Sequence, residues 1–419
     1  MRDELYQSIV STPVVDVHTH FETYTETFGY TMPQFLYNCS YGTCFEQWME
    51  PSDTATLQDK TADPYLQFQI LIKVMKPLIH TKIGVVLRKI CECIGVDFSV
   101  ESYDSLQRWY QMRTKKNVQS VVSRIRATIA NSPGHPLYGG IPGIKEFLNG
   151  DRRADEGFYR SATITGFHCI HTREDLDVLG EALGMPIRSL EEWEQACRQA
   201  IHMLVQHKVV CFKELYLYFR SPEIHLPDRE MAERSFQKVL SGEKADTALL
   251  DYLMFSVYEM VQETGLPVQV HTGGLLNTAV TASALESFLL LIHAFPSVVF
   301  DLLHLNYPMM DLYKTVLRSA PNVYGDAAWI ATMDEEYTRE FLNFMLDNYP
   351  ENRFLFFGSD RHCGGAPVAA CLELADQVLF DFFLEKTEKG RVSLSEAEQL
   401  VNRWMYENPK SLFLQNKTI

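Results

Sequence analysis

The sequence predicts an α/β fold: a (β/α)8 barrel of the TIM type with a large helical insertion after the first strand. Two observations carry this. Strand and helix patterns alternate through the second half of the chain at a repeat of roughly 25 to 30 residues. Polar residues of the metal-binding kinds also stand where successive apolar β-runs stop. Right-handed parallel crossovers of this kind build an open doubly wound sheet or a closed barrel. No Gly-rich phosphate loop follows any predicted strand, which weakens the open nucleotide-binding sheet. Only closure brings the ends of four separate strands around one centre.

The elements follow in chain order. Val14-Val15-Asp16-Val17 reads as the first strand and ends in His18-Thr19-His20. The next strand is expected near Ser161 to Phe167, which leaves a helical insertion over 21–150 with helix-like runs at about 64–80, 83–95 and 102–130. The Pro- and Gly-rich stretch 131–143 reads as a long loop. An insertion on the first β/α loop lies on the active-site face, as a lid, a substrate cap, a subunit contact or a purely structural elaboration.

A strand near Lys208 to Tyr218 precedes a helix at about 246–264, in which Leu249, Leu250, Leu253, Met254, Val257, Met260 and Val261 recur at helical spacing before Gly265 and Pro267 end it. Strands at 267–271, 298–303, 322–326 and 353–358 then alternate with helices at about 281–294, 309–319 and 335–348. Two helical stretches, about 367–386 and 393–413, finish the outer ring; Ser393 and Glu396 are spaced as a capping box. The whole chain, 1–419, is expected to be one barrel domain.

Composition narrows the functional classes. An apolar fraction of 46% is enough for a globular core, and a formal charge of −16 disfavours nucleic acid and anionic membrane as partners. The first residues, Met1-Arg2-Asp3-Glu4, lack the apolar core of a signal peptide, and the greasiest segment, 67–79, is interrupted by Lys73 and Lys76. Nine cysteines, odd in number and irregularly spaced, read as reduced thiols, so a cytoplasmic location is expected. Cys91 and Cys93 diverge on a helix and are not read as a metal pair. The expected partner is a small-molecule substrate, in a homo-oligomer.

The strand ends carry the chemistry. Residues i and i+2 of a strand share a face, so His18 and His20 can grip one ion together. Pro267-Val268-Gln269-Val270 ends in His271, Val298 to Leu303 ends in His304, and Phe354 to Ser359 ends in Asp360. A single histidine on an apolar strand is more often a hydrogen-bonded core residue than a ligand. The ordered set points instead to a divalent ion such as Zn, Mn, Fe or Ni, with an open position for water.

These pieces resemble the amidohydrolase superfamily and, within it, the amidohydrolase-2 group. The matching segments are Val15-Asp16-Val17-His18-Thr19-His20, Phe212-Lys213-Glu214 with Tyr218-Phe219-Arg220-Ser221, Gly265 to Gly273, His304-Leu305-Asn306-Tyr307-Pro308, Asn322-Val323-Tyr324 and Gly358-Ser359-Asp360. They also resemble the amidohydrolase-like half of nodulin-type proteins fused to a glutamine synthetase. Large first-loop insertions also occur in uronate isomerases. The resemblance implies that His18, His20, His271 and Asp360 bind one divalent ion, with Zn the first expectation. It implies that His304 polarises a substrate carbonyl or orients the water, and that Asp360 doubles as the proton-transfer base.

Lys213 matches a lysine that is carboxylated in two-metal relatives. As a free ammonium it would bind a substrate carboxylate or pair with a neighbouring acid. Arg220 matches an arginine able to hold a carboxylate at two points, with a surface salt bridge as the other reading. Arg361 and His362 follow Asp360 where relatives carry small residues, and Arg361 joins Lys213 and Arg220 as a substrate-binding candidate. Gly273-Gly274 replaces the usual glycine-phenylalanine, so substrate identity does not transfer. Trp329 reads as pocket lining or core.

The function expected is hydrolysis of an amide, ester or lactone-like bond in a small carboxylated molecule. Decarboxylation or uronate-type isomerisation on the same site is the alternative. A catalytically silent barrel that serves as a binding scaffold is the reading from another class. No G-x-S-x-G elbow supports a serine hydrolase.

Overall fold

A computed structural model describes residues 1–131, 154–274 and 283–415. Eight parallel strands follow one another in sequence order around a single sheet. They are β1 (Val14–Thr19), β2 (Ile125–Asn131), β3 (Phe158–Thr163), β4 (Cys211–Glu214), β5 (Val268–His271), β6 (Phe300–Leu303), β7 (Val323–Asp326) and β8 (Phe354–Leu355).

The short β8 continues along β1 by backbone hydrogen bonds. Val17 N donates to Phe357 O at 3.1 Å, Asp360 N to His18 O at 2.8 Å, and His20 N to Arg361 O at 2.8 Å. These bonds bring the last strand back to the first. The fold is the predicted (β/α)8 barrel, and all the strand ends open on one rim.

Alternation along each strand sorts side chains between two cores. On β4, Phe212 packs in the layer between sheet and helices while Cys211 belongs to the barrel interior. Val15, Val17, Ala127, Ile129, Leu303 and Leu355 fill that interior with Phe413 and Leu414 from the last helix. The C-terminal helices therefore do more than finish the outer ring, because helix Asn408–Phe413 also supplies apolar cover to the barrel core. The expected capping box is present: Ser393 Oγ accepts from Glu396 N at 3.2 Å, and Glu396 accepts from Ser393 N at 2.7 Å.

The insertion differs from expectation at its far end. Strand β2 falls inside the 21–150 span; among the described residues the helical part ends at Val121, and the expected helix over 102–130 divides into Tyr103–Gln111, Lys115–Val121 and β2. The strand expected near 161–167 is β3. In the run Ile125-Arg126-Ala127-Thr128-Ile129-Ala130, good helix formers dilute the β-branched residues, and pairing with β1 and β3 decides the conformation. Of the predicted loop 131–143, all but Asn131 lies outside the described residues, as do positions 281–282 of the helix expected at 281–294.

The insertion has a core of its own. Phe35, Leu36, Phe68, Leu71, Val86, Leu87, Ile90 and Leu106 bury one another and share Cys363, Ala366 and Ala370 with the segment following β8. Its apolar face is thereby seated on the start of helix Ala366–Glu388, immediately beyond the rim that carries Asp360.

Candidate metal centre

β1 delivers its two histidines through a local irregularity. Its pairing with β2 shifts register between Asp16 and Thr19, and Asp16 Oδ1 accepts from His18 N at 3.4 Å and from Ser359 N at 2.8 Å. The Asp16 carboxylate thus ties the end of β1 to the residue before Asp360. Asp360 itself has φ +51°, a left-handed conformation uncommon for a non-glycine residue.

There the His20 Nε2 lies 2.8 Å from Asp360 Oδ1, and His18 Nε2 lies 3.5 Å from the same oxygen. The three residues are buried, and their ligand atoms lie within 4.8 Å of one another. Two donors held tetrahedrally by one ion at about 2.1 Å sit roughly 3.4 Å apart, so this set fits a single divalent cation.

Electrostatics holds the set in ligating form. Burial raises the Asp360 pKa, but the His20 hydrogen bond and the charges of His20, His18 and His304 outweigh it and hold the carboxyl well below its ordinary range. Burial, reinforced by Lys213, holds His18 well below 6.5; burial and His304 do the same to His271. Both imidazoles are therefore neutral near pH 7, which leaves a lone pair for a metal.

His271 stands beside this trio. Its ring is 4.7 Å from that of His304 and 5.2 Å from that of Tyr218, and its Nε2 has no hydrogen-bond partner among the described residues. The pocket at the rim encloses about 520 Å³ of space, open solvent at its mouth included. His18, His20, His271, Asp360 and Lys213 line it, together with Tyr41, Tyr218, Trp329 and His362.

Comparison with known proteins shows what the chain is similar to. The family described as Amidohydrolase (Amidohydro_2) matches residues 229–414. A uronate isomerase of Thermotoga sp. (strain RQ2) is 25% identical over 283 residues, 58% of this chain and 58% of the relative. The uronate isomerase of Thermotoga maritima is 25% identical over 281 residues, 58% of this chain and 57% of the relative. These matches therefore span less than two thirds of the curated relatives. Among solved structures, the Thermotoga maritima uronate isomerase superposes with a TM-score of 0.74 at 17% identity, covering 99% of this chain and 97% of that one. The glucuronate isomerase of Caulobacter crescentus gives 0.72 at 13% identity over 100% and 94%.

Over residues 229–414 the chain is similar to the amidohydrolase family. Uronate isomerases are among its distant relatives.

The remaining predicted site residues occupy distinct places. Lys213 is fully buried at the base of the pocket, with Nζ 3.5 Å from His18 Nε2. Burial lowers its pKa to about 8 against the attraction of Asp360, Asp301 and Asp326. Asp301 is held by Gln269 Nε2 at 3.0 Å and is pushed up to about 7 by burial.

His304, at φ +70°, packs its ring 5.9 Å from those of His18 and Trp329 and is not part of the pocket lining. Burial takes its pKa down to about 4, and its Nδ1 lies 2.9 Å from the Ala328 carbonyl. The neutral ring must therefore carry its proton on Nδ1, so Nε2 is an acceptor. Such a ring can orient a water or take a proton; it cannot donate to a substrate carbonyl.

Arg220 and Arg361 do not line the pocket. Arg220 is paired with the buried Asp251 and donates to the Glu223 carbonyl at 2.9 Å, an ion pair that is buried and not the surface salt bridge weighed from the sequence. Arg361 is fully buried, with Nε 2.8 Å from Cys371 Sγ and Nη1 2.9 Å from the Cys39 carbonyl. The backbone alternation that turns Asp360 into the site turns Arg361 away from it.

Tyr41 and Leu215 line the pocket without a signal in the sequence. Tyr41 comes from the insertion, whose docking no local pattern encodes. Gly273 has a legible reason: at φ +76°, a Cβ there would stand 2.5 Å from the Tyr307 backbone. Among the described residues no helix is long and apolar enough to cross a membrane.

Proposed function

We propose that this protein is a metal-dependent hydrolase of a small carboxylated substrate. The observation that carries the reading is the convergence of His18, His20 and Asp360 at the pocket wall, with Lys213 as the nearest ammonium. A divalent ion held by the three residues, Zn in the first instance, would supply Lewis acidity and bring a water's pKa towards neutrality. His271 is close enough in the same pocket to join as a further ligand.

The chain's own groups account for the rest. Asp360, a carboxylate at pH 7, takes the proton from the attacking water and returns it to the leaving group. His304 Nε2, as an acceptor, orients that water. The Lys213 ammonium holds the substrate carboxylate and so places the scissile carbon beside the ion. Tyr218 and Trp329 form the aromatic walls.

A second reading is favoured by the relatives, which are named as uronate isomerases. In it Asp360 moves a proton between adjacent carbons of a sugar acid, and Lys213 again holds the carboxylate. One experiment separates the two. The zinc-loaded protein is incubated with panels of carboxylated amides, lactones and uronates in H₂¹⁸O and, separately, in D₂O. Hydrolysis places ¹⁸O in the product acid; isomerisation places deuterium on carbon and leaves the carbon skeleton intact. A protein that retains about one equivalent of metal and yields neither label from any panel would overturn both readings.

A further inference from the structure

Among the described residues, Tyr41 is where the insertion lines the pocket at the metal centre. Tyr41 follows helix Met32–Cys39, lines the pocket, and donates its hydroxyl to the backbone carbonyl of Asp360. Asp360 is held on its other side by its own N–H, which donates to the His18 carbonyl at 2.8 Å. The φ of +51° at Asp360 is a conformation that persists only where the surroundings determine it, and here both flanking peptide groups are tied.

The tyrosine is in turn gripped from behind. The Arg361 guanidinium lies 4.6 Å from the centre of the Tyr41 ring, and its Nη1 donates to the Cys39 carbonyl at the end of the same insertion helix. Its Nε reaches Cys371 Sγ on helix Ala366–Glu388 at 2.8 Å. The residue after Asp360 therefore holds the insertion, and the insertion holds Asp360. The loop of contacts is closed.

We infer that the insertion is a positioning element of the metal centre: the Tyr41 hydroxyl sets the peptide of Asp360, and through it the carboxylate that completes the His18–His20–Asp360 set. This rests on reading those three residues as metal ligands. It gives Arg361 a role that direct substrate binding does not, since a guanidinium sealed against Cys371 and Cys39 acts on the site through Tyr41. The insertion then serves the ligand set itself, beyond any covering of the pocket.

The test is Tyr41→Phe, which removes one hydroxyl and keeps the ring under Arg361. Tyr37→Phe is the control, because it removes a hydroxyl from the same insertion, where that group bonds Glu46 at 3.1 Å. Zinc affinity is read by competition with a chromogenic chelator, and the visible spectrum of the cobalt-loaded proteins reports ligand geometry. Loss of an outer partner of a ligand costs on the order of 10- to 100-fold in metal affinity, so Tyr41→Phe should weaken zinc binding by that factor and shift the cobalt bands. Tyr37→Phe should leave both at the wild-type value.

Wild-type affinity and spectrum in Tyr41→Phe would overturn the inference while leaving the metal site in place. Equal losses in both variants would assign the effect to general loosening of the insertion and also overturn it. A wild-type protein that binds no metal under any loading condition would instead bring down the ligand reading, and the positioning role with it.

Discussion

Lys213→Met should make the metal-free protein more stable and make the enzyme worse. The lysine is fully buried, and its pKa falls from the ordinary 10.5 to about 8. That drop corresponds to about 3 kcal/mol by which the fold disfavours the charged amine, the attractions of Asp360, Asp301 and Asp326 already included. At pH 7 the amine is protonated in both folded and unfolded chains, so the fold bears the full penalty. Between about pH 8 and 10.5 the folded amine is neutral while the unfolded one still binds a proton, so stability rises with pH through that window.

Methionine has a similar length and no charge. An unfolding entropy of about 2.1 cal/mol/K per residue over 419 residues converts about 3 kcal/mol into a Tm gain of about 3 °C at pH 7. The assay is differential scanning calorimetry of chelator-treated wild type and variant from pH 7 to 10. The Tm gap should be widest at pH 7 and should narrow above pH 8. With a carboxylated substrate, the variant should lose about 10- to 150-fold in kcat/KM, the worth of one charge-assisted hydrogen bond. A variant that melts below wild type at pH 7 would refute the reasoning, because Lys213 would then be a net stabilising ion partner. So would a gap that does not change with pH.

Other outcomes follow from the same geometry. Adding zinc at about 1,000 times its Kd should stabilise the chain by about 4 kcal/mol, and Asp360→Asn should abolish that gain in a thermal-shift titration. Arg220→Met should cost about 3–5 kcal/mol by stranding the buried Asp251, while the KM of the residual folded enzyme stays near wild type because Arg220 lies outside the pocket. Glu214 is a fully buried carboxylate; burial raises its pKa, but His168 at 2.8 Å, Thr165 at 2.6 Å and the Leu215 N–H outweigh that and lower it below 4.5. Its contribution is therefore present above about pH 4.5 and is lost as pH falls through the depressed value. Glu214→Gln should flatten that acid limb in a pH series of melting curves.

How much of this was legible in the sequence differs from element to element. The strand ends of β1, β5 and β6 and the position of Asp360 are local facts: an apolar run stops, and a polar residue follows. Alternation then fixes that Cys211 and Lys213 face opposite to Phe212 and Glu214 on β4. Helices such as Thr247–Thr264 and Glu335–Asn348 fall within a residue of their predicted bounds, since long amphipathic periodicity and terminal Gly or Asp signals mark them. Strand β2 escaped because its weak pattern becomes a strand only between β1 and β3.

Tertiary structure alone decided the roles of the cations. Lys213, Arg220 and Arg361 are equivalent charges in the sequence. Only packing places the ammonium beside His18, pairs one guanidinium with Asp251 and seals the other against Cys371 and Cys39. The tautomer of His304 depends on the Ala328 carbonyl, 24 residues away. Tyr41 reaches Asp360 across 319 residues. Local patterns determined which atoms this protein offers, because periodicity and strand ends are properties of neighbouring residues. Which of those atoms meet was decided by closure of the barrel and docking of the insertion, because contacts between distant segments leave no periodic trace in a single chain.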